Sequence, residues 1–134
     1  MNRFFYWILP MLLLGVGSLQ AQTQDRSHDV FVPIAKYIEA GNSDCLSAWM
    51  ADNLELNLFG VANDCSRSQA RQILKHFFER YRPHSFTVVH KSLSPPMTYA
   101  VAKMSAGGER FQVTIFVQTQ EDGNFIQHLR IERD

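Results

Sequence analysis

The chain has 134 residues, 46% of them hydrophobic, and its 13 basic and 13 acidic side chains leave no formal net charge. That length holds one compact domain and excludes two. The charge balance excludes a general electrostatic pull on nucleic acid or on an anionic membrane surface, so neither is expected as a partner.

The chain opens on MNRFFYWILPMLLLGVGSLQAQ. A basic start at Arg3, an apolar run from Phe4 to Leu14 and small and polar residues up to Ala21 form the three-part layout of a secretory signal peptide. Residues 1–21 are therefore expected to be removed. The apolar run is too short for a bilayer-spanning helix and contains Pro10, so no membrane attachment is expected after cleavage. No cysteine follows the run to take a lipid. Losing Arg3 takes the basic count from 13 to 12 against 13 acidic side chains, a net charge near −1 for the exported chain. The expected location is the periplasm or the medium. Residues 22–28, QTQDRSH, read as a polar linker, and 29–134 as one domain.

Asp29 can cap a first helix with apolar positions Phe31, Ile34, Ala35 and Ile38, spaced for one helical face. Pro33 falls near its first turn, where its missing N–H does little harm. Gly41 ends that helix, and Asn42 or Ser43 starts a short second one carrying Leu46, Trp49 and Met50. A strand follows over Leu54 to Phe59 and closes at Gly60. Ser66 and Gln69 form a capping box, and Ala70, Ile73, Leu74, Phe77, Phe78 and Tyr81 repeat at helical spacing until Pro83. Beyond Pro83 the period becomes two. HSFTVVHKSL, MTYAVAKMS, RFQVTIFVQTQ and FIQHLRIE are alternating runs, the later ones separated by Gly107-Gly108 and Asp122-Gly123 turns, which predicts an antiparallel meander. The element order is ααβαββββ, and helices grouped on one side of an antiparallel sheet make an α+β fold.

This order resembles the cone-shaped fold of nuclear transport factor two and its relatives, among them ketosteroid isomerase, scytalone dehydratase and polyketide cyclases. More narrowly, LSAWMADNLELNLFG, SRSQARQILKHFF, SFTVVHKS and IQHLRIE look like a family of small exported bacterial proteins of unassigned function within that superfamily, over nearly the whole mature chain. The resemblance implies a strongly curved sheet wrapped around helices as a cup, and export. It implies no reaction, because the fold carries enzymes, binding domains and assembly modules alike.

If the apolar phase of each strand faces the helices, the inward set is Phe86, Val88 and His90, then Tyr99, Val101 and Lys103. It continues with Phe111, Val113, Ile115 and Val117, and ends with Phe125, Gln127, Leu129 and Ile131. An apolar cup with a few convergent polar groups describes a small-molecule pocket, so His90, Tyr99, Lys103 and Gln127 are the candidate ligand-binding residues, for a small apolar ligand. The blander reading has His90 at the sheet rim and Lys103 reaching for water. The resembling isomerases use a carboxylate base inside the cup. Here the inward phase holds no Asp or Glu, leaving His90 as an alternative acid/base with Tyr99 as donor. Asp52 reads as a helix-end residue.

Cys45 and Cys65 lie in the exported part, where an even count favours a disulfide; two separate buried thiols are the alternative. No cofactor is expected. His28, His76, His84, His90 and His128 show no chelating spacing, so no metal is expected either. Arg67, Arg71 and Lys75 make a basic stripe on the long helix, read as a solvated face with an acidic partner or anionic glycan as the sharper option. The other sheet face is expected to carry Val89, Ala102, Met104, Phe116 and Ile126, apolar enough to pair two copies of the chain. The reading that results is a non-enzymatic, exported binding or interaction domain that is cup-shaped and dimeric. The alternatives are an isomerase- or dehydratase-type enzyme using His90 and a purely structural or assembly module.

Overall fold

The computed structural model of the protein describes residues 29–134, and Phe31–Asp134 form one compact unit. The expected signal peptide and linker lie outside the described residues.

Helix α1, Phe31–Glu39, buries Phe31, Ile34 and Ile38 on one face. Gly41 ends it with a positive φ of 67°. Asn42 then caps α2, Ser43–Ser47, by accepting from the Cys45 N–H at 3.0 Å. This second helix is shorter than the apolar spacing predicts. Met50 does not join it but opens strand β1, Met50–Leu58, fully buried. Strand β2, Val61–Ser66, follows after a Phe59-Gly60 turn and was not foreseen, because only Cys65 of its residues is buried and no apolar alternation marks it. The element order is thus ααββαββββ. Ser66 caps α3, Arg67–Arg80, through the expected capping box with Gln69. Strands β3 (Pro83–Ser92), β4 (Met97–Ala106), β5 (Glu109–Gln120) and β6 (Gly123–Arg133) complete the chain.

The six strands form one open sheet in the order β2-β1-β6-β5-β4-β3. Neighbours are antiparallel except β1 and β6, which run parallel. The α+β expectation holds, and β3 to β6 form the expected antiparallel meander; the sheet becomes mixed only where β1 joins β6 in parallel. The helices cover one face, and the sheet and helices together make a cone-like cup. Ile34, Ile38, Leu46, Leu74, Met104, Phe111 and Leu129 occupy its inside, each less than 2% exposed.

One expected phase is reversed. On β5, Phe111, Val113, Ile115 and Val117 face the helices as expected. Their cross-strand partners on β4 are Met104, Ala102, Ala100 and Thr98, and directly opposed residues share a face. These β4 residues are therefore the buried ones, and Tyr99, Val101 and Lys103 point to the outer face. The alanines are small enough to let helix side chains approach the sheet, which the bulkier alternate set would not. On β3, Phe86 pairs with Met104 and is buried, but a bulge at Val89 breaks the alternation and leaves His90 exposed. On β6, a bulge at Gln127 makes Ile126, Leu129 and Ile131 the buried residues, with Phe125 and Gln127 half-buried. Bulges shift every side chain beyond them by one face. Ala102, Met104 and Ile126, expected outside, are core residues.

Candidate functional site

The residues nominated for the cup assemble in part, but on the outside. His90 Nε2 lies 3.0 Å from the Tyr99 hydroxyl, with ring centres 5.6 Å apart. Tyr99 contacts Phe116 at 5.7 Å, and Phe116 contacts His128 at 5.5 Å. His128 Nδ1 is 3.1 Å from Glu55 Oε2. Tyr99, Phe116, His128 and Glu55 are consecutive partners across β4, β5, β6 and β1, so neighbouring strands a little under 5 Å apart bring each ring against the next. His90 joins them diagonally from β3. The result is a continuous row of rings running across the sheet and ending on a carboxylate.

Lys103 shares this face but points along it. Its ammonium donates to Gln112 at 3.1 Å and to Asp134 at 2.9 Å. His128 Nε2 and Arg130 Nε, also on this face, are shielded and have no hydrogen-bond partner among the described residues. The His90–Tyr99 pair is exposed on the outer face of the sheet, which removes its expected place in a reaction cup.

Gln127 is not with the other candidates. It lines a separate cleft of 310 Å³ beside Asp52, Arg67 and Phe125. A further cleft of 420 Å³ lies between the α1–α2 turn and the end of α3, lined by Gly41, Asp44, Lys75, Phe78, Glu79 and Arg82. The basic stripe is partly neutralised: Arg67 pairs with Asp52 at 2.7 Å and Arg71 stands 3.9 Å from Asp44. Among the described residues no three His, Cys, Asp or Glu side chains converge.

The expected disulfide is not made. Cys45 on α2 is exposed, Cys65 on β2 is buried, and both are free thiols. Burial pushes the Cys65 thiol up from its ordinary range, and the negative charge of Asp64 adds to the effect.

The sequence profile of the family described as a domain of unknown function, DUF4783, matches residues 31–132. No curated protein matches the sequence. Among solved structures, a DUF4783 family protein from Bacteroides uniformis superimposes with a TM-score of 0.76 at 19% identity, covering 79% of this chain and 98% of that one. A cystatin-like domain of unknown function from Nostoc punctiforme gives 0.63 at 10% identity, covering 83% and 76%. An NTF2-like protein of unknown function from Cytophaga hutchinsonii gives 0.59 at 9% identity, covering 79% and 88%. At such identities the likeness is one of fold.

Proposed function

The chain belongs to the DUF4783 family, a domain of unknown function, and we propose that it acts as an exported, non-catalytic interaction domain that pairs with a second copy of itself through the outer face of its sheet. One observation carries this reading: the ring row His90–Tyr99–Phe116–His128 lies on the face that the helices leave uncovered. Aromatic side chains and arginine are enriched at the centres of protein interfaces, and Arg130 stands beside the row. The filled cup argues in the same direction, since the residues that would have recognised a small apolar ligand there point elsewhere.

The uncharged middle of β5 is compatible with a two-fold axis running along that strand. The outer side of that strand presents Gln112, Thr114, Phe116 and Gln118, all uncharged, with Arg110 at its end. Rotation about β5 lays β4 of one copy over β6 of the other. Lys103, which shares a cross-strand row with Gln112 and Glu132, then faces Glu132 of the second copy, and Tyr99 faces its His128. Phe116 packs on itself.

Native mass spectrometry of the purified protein tests the pairing. The dimer mass is expected for the wild-type chain, and the monomer mass for Phe116→Arg with its circular dichroism spectrum unchanged. A wild-type monomer, or a dimer that survives the substitution, overturns the reading. Export is tested separately by N-terminal sequencing of protein recovered outside the cytoplasm, which is expected to begin at Gln22.

A further inference from the structure

We propose that the cleft where β1 leaves β6 is a binding site for a neutral sugar unit. The two strands pair at Met50 and Ile126 and then again only from Glu55 and His128 onwards. Ala51 to Leu54 of β1 thus stand opposite Gln127 alone, and Gln127 is also the bulged residue between β5 and β6. The departure of one strand from the other opens the 310 Å³ cleft, at the small end of the range for ligand pockets.

One wall carries an ion pair. The Arg67 guanidinium donates from Nε to the Met50 carbonyl at 3.2 Å and from Nη2 to Asp52 Oδ1 at 2.7 Å. Around that pair stand Asn53, Gln120, Asp122 and Gln127. None of these four side chains has a hydrogen bond or ion pair among the described residues. Phe125, half-buried, adds one ring to the lining.

The chemistry of the lining selects the ligand class. Each amide offers a donor and an acceptor in one plane, and the carboxylate accepts on two oxygens. A pyranose carries several hydroxyls, each donating once and accepting twice, around a C–H face that can lie on an aromatic ring. An anion meets an arginine already matched by Asp52, with the charge of Asp122 against it. An apolar molecule would strip water from four polar groups and give them nothing in return. The neutral polyhydroxylated ring is the class that uses all of them. This site is separate from the ring row and does not depend on pairing of the chain.

An amide NMR titration of the isotopically labelled protein tests it, with D-galactose, D-mannose and N-acetyl-D-glucosamine as separate probes and D-glucuronate as the charged control. At least one neutral sugar at millimolar concentration is expected to shift the amides of Ala51, Asp52, Asn53, Arg67, Phe125 and Gln127. Gln127→Leu is expected to weaken that binding roughly tenfold while the remaining amides keep their positions. Shifts with no neutral sugar, shifts confined to other residues, a response to glucuronate alone, or undiminished binding by the folded Gln127→Leu variant would each overturn the proposal.

Discussion

The guanidinium carbon of Arg133 lies 5.0 Å from the centre of the Phe59 ring, and the same group donates to the Tyr81 hydroxyl at 3.2 Å and pairs with Glu109. Phe59 therefore sits between a cation outside and the rings of Phe77, Tyr81 and Phe111 inside, with centres 6.0, 6.2 and 6.0 Å away. It holds this place with a φ of 56°, a left-handed backbone that bulky residues rarely adopt. The ring contacts and the cation outweigh the backbone cost. Because Phe59 is 42% exposed, Phe59→Ala is expected to lower stability by about 2 kcal/mol, less than a fully buried phenylalanine would. Phe59→Gly loses the same contacts but removes the conformational cost. Urea denaturation should find it at least as stable as Phe59→Ala, and a markedly weaker glycine variant would show that the turn carries no strain.

The reversed phase of β4 has a direct test. Ala102 is wholly buried and pairs with Val113, while its neighbour Val101 is half-exposed on the outer face. Enlarging a residue in a filled interior forces its neighbours off their preferred conformations, at about 1–3 kcal/mol. Ala102→Leu is expected to lose that much in chemical denaturation, and Val101→Leu less than about 0.5 kcal/mol. Equal losses would contradict the assigned faces.

The two cysteines should behave differently. A maleimide reagent is expected to modify Cys45 rapidly in the folded protein and Cys65 only on unfolding, read by mass spectrometry. Burial, and then Asp64, holds the folded Cys65 thiol above its unfolded value. A group raised on folding contributes stability in full below its unfolded range and loses it as pH rises through the folded one. Stability measured across the alkaline thiol range should therefore fall more steeply in the wild-type chain than in Cys65→Ser. Rapid labelling of both residues in the folded state would exclude the assigned burial.

Much of this architecture is legible in the sequence. The capping box at Ser66 and Gln69, the helical repeat up to Tyr81 and the glycine turns each report local chemistry, and local chemistry is what a linear pattern encodes. The faces of β3, β4 and β6 were not legible, because they depend on ladder register and on two bulges. One signal was available: the two-residue Gly107-Gly108 turn places Ala106 opposite Glu109. Counting back from it sets Met104 against Phe111 and sends Tyr99 and Lys103 outward. No comparable mark announces the bulges at Val89 and Gln127, so simple alternation puts His90 and Gln127 on the wrong face. The His128–Glu55 pair joins a strand to one far away in sequence, and only the parallel β1–β6 contact reveals it.

That same turn offers the last comparison, because its two glycines face different surroundings. Both have positive φ, 58° at Gly107 and 81° at Gly108. A Cβ on Gly107 would lie 3.0 Å from the Tyr81 Cα and 3.3 Å from its ring. Tyr81 is the residue that caps α3, so neither its backbone nor its packed ring can yield without disturbing the aromatic cluster. A Cβ on Gly108 meets nothing within 4 Å. Gly108→Ala should therefore carry only the conformational cost, about 1 kcal/mol. Gly107→Ala should carry that cost plus a backbone clash, about 2–3 kcal/mol in total. Thermal denaturation of the two variants side by side measures the difference. Equal midpoints would mean that the β4–β5 turn does not close against the end of α3, and the support for Phe59 and Arg133 would fall with that contact.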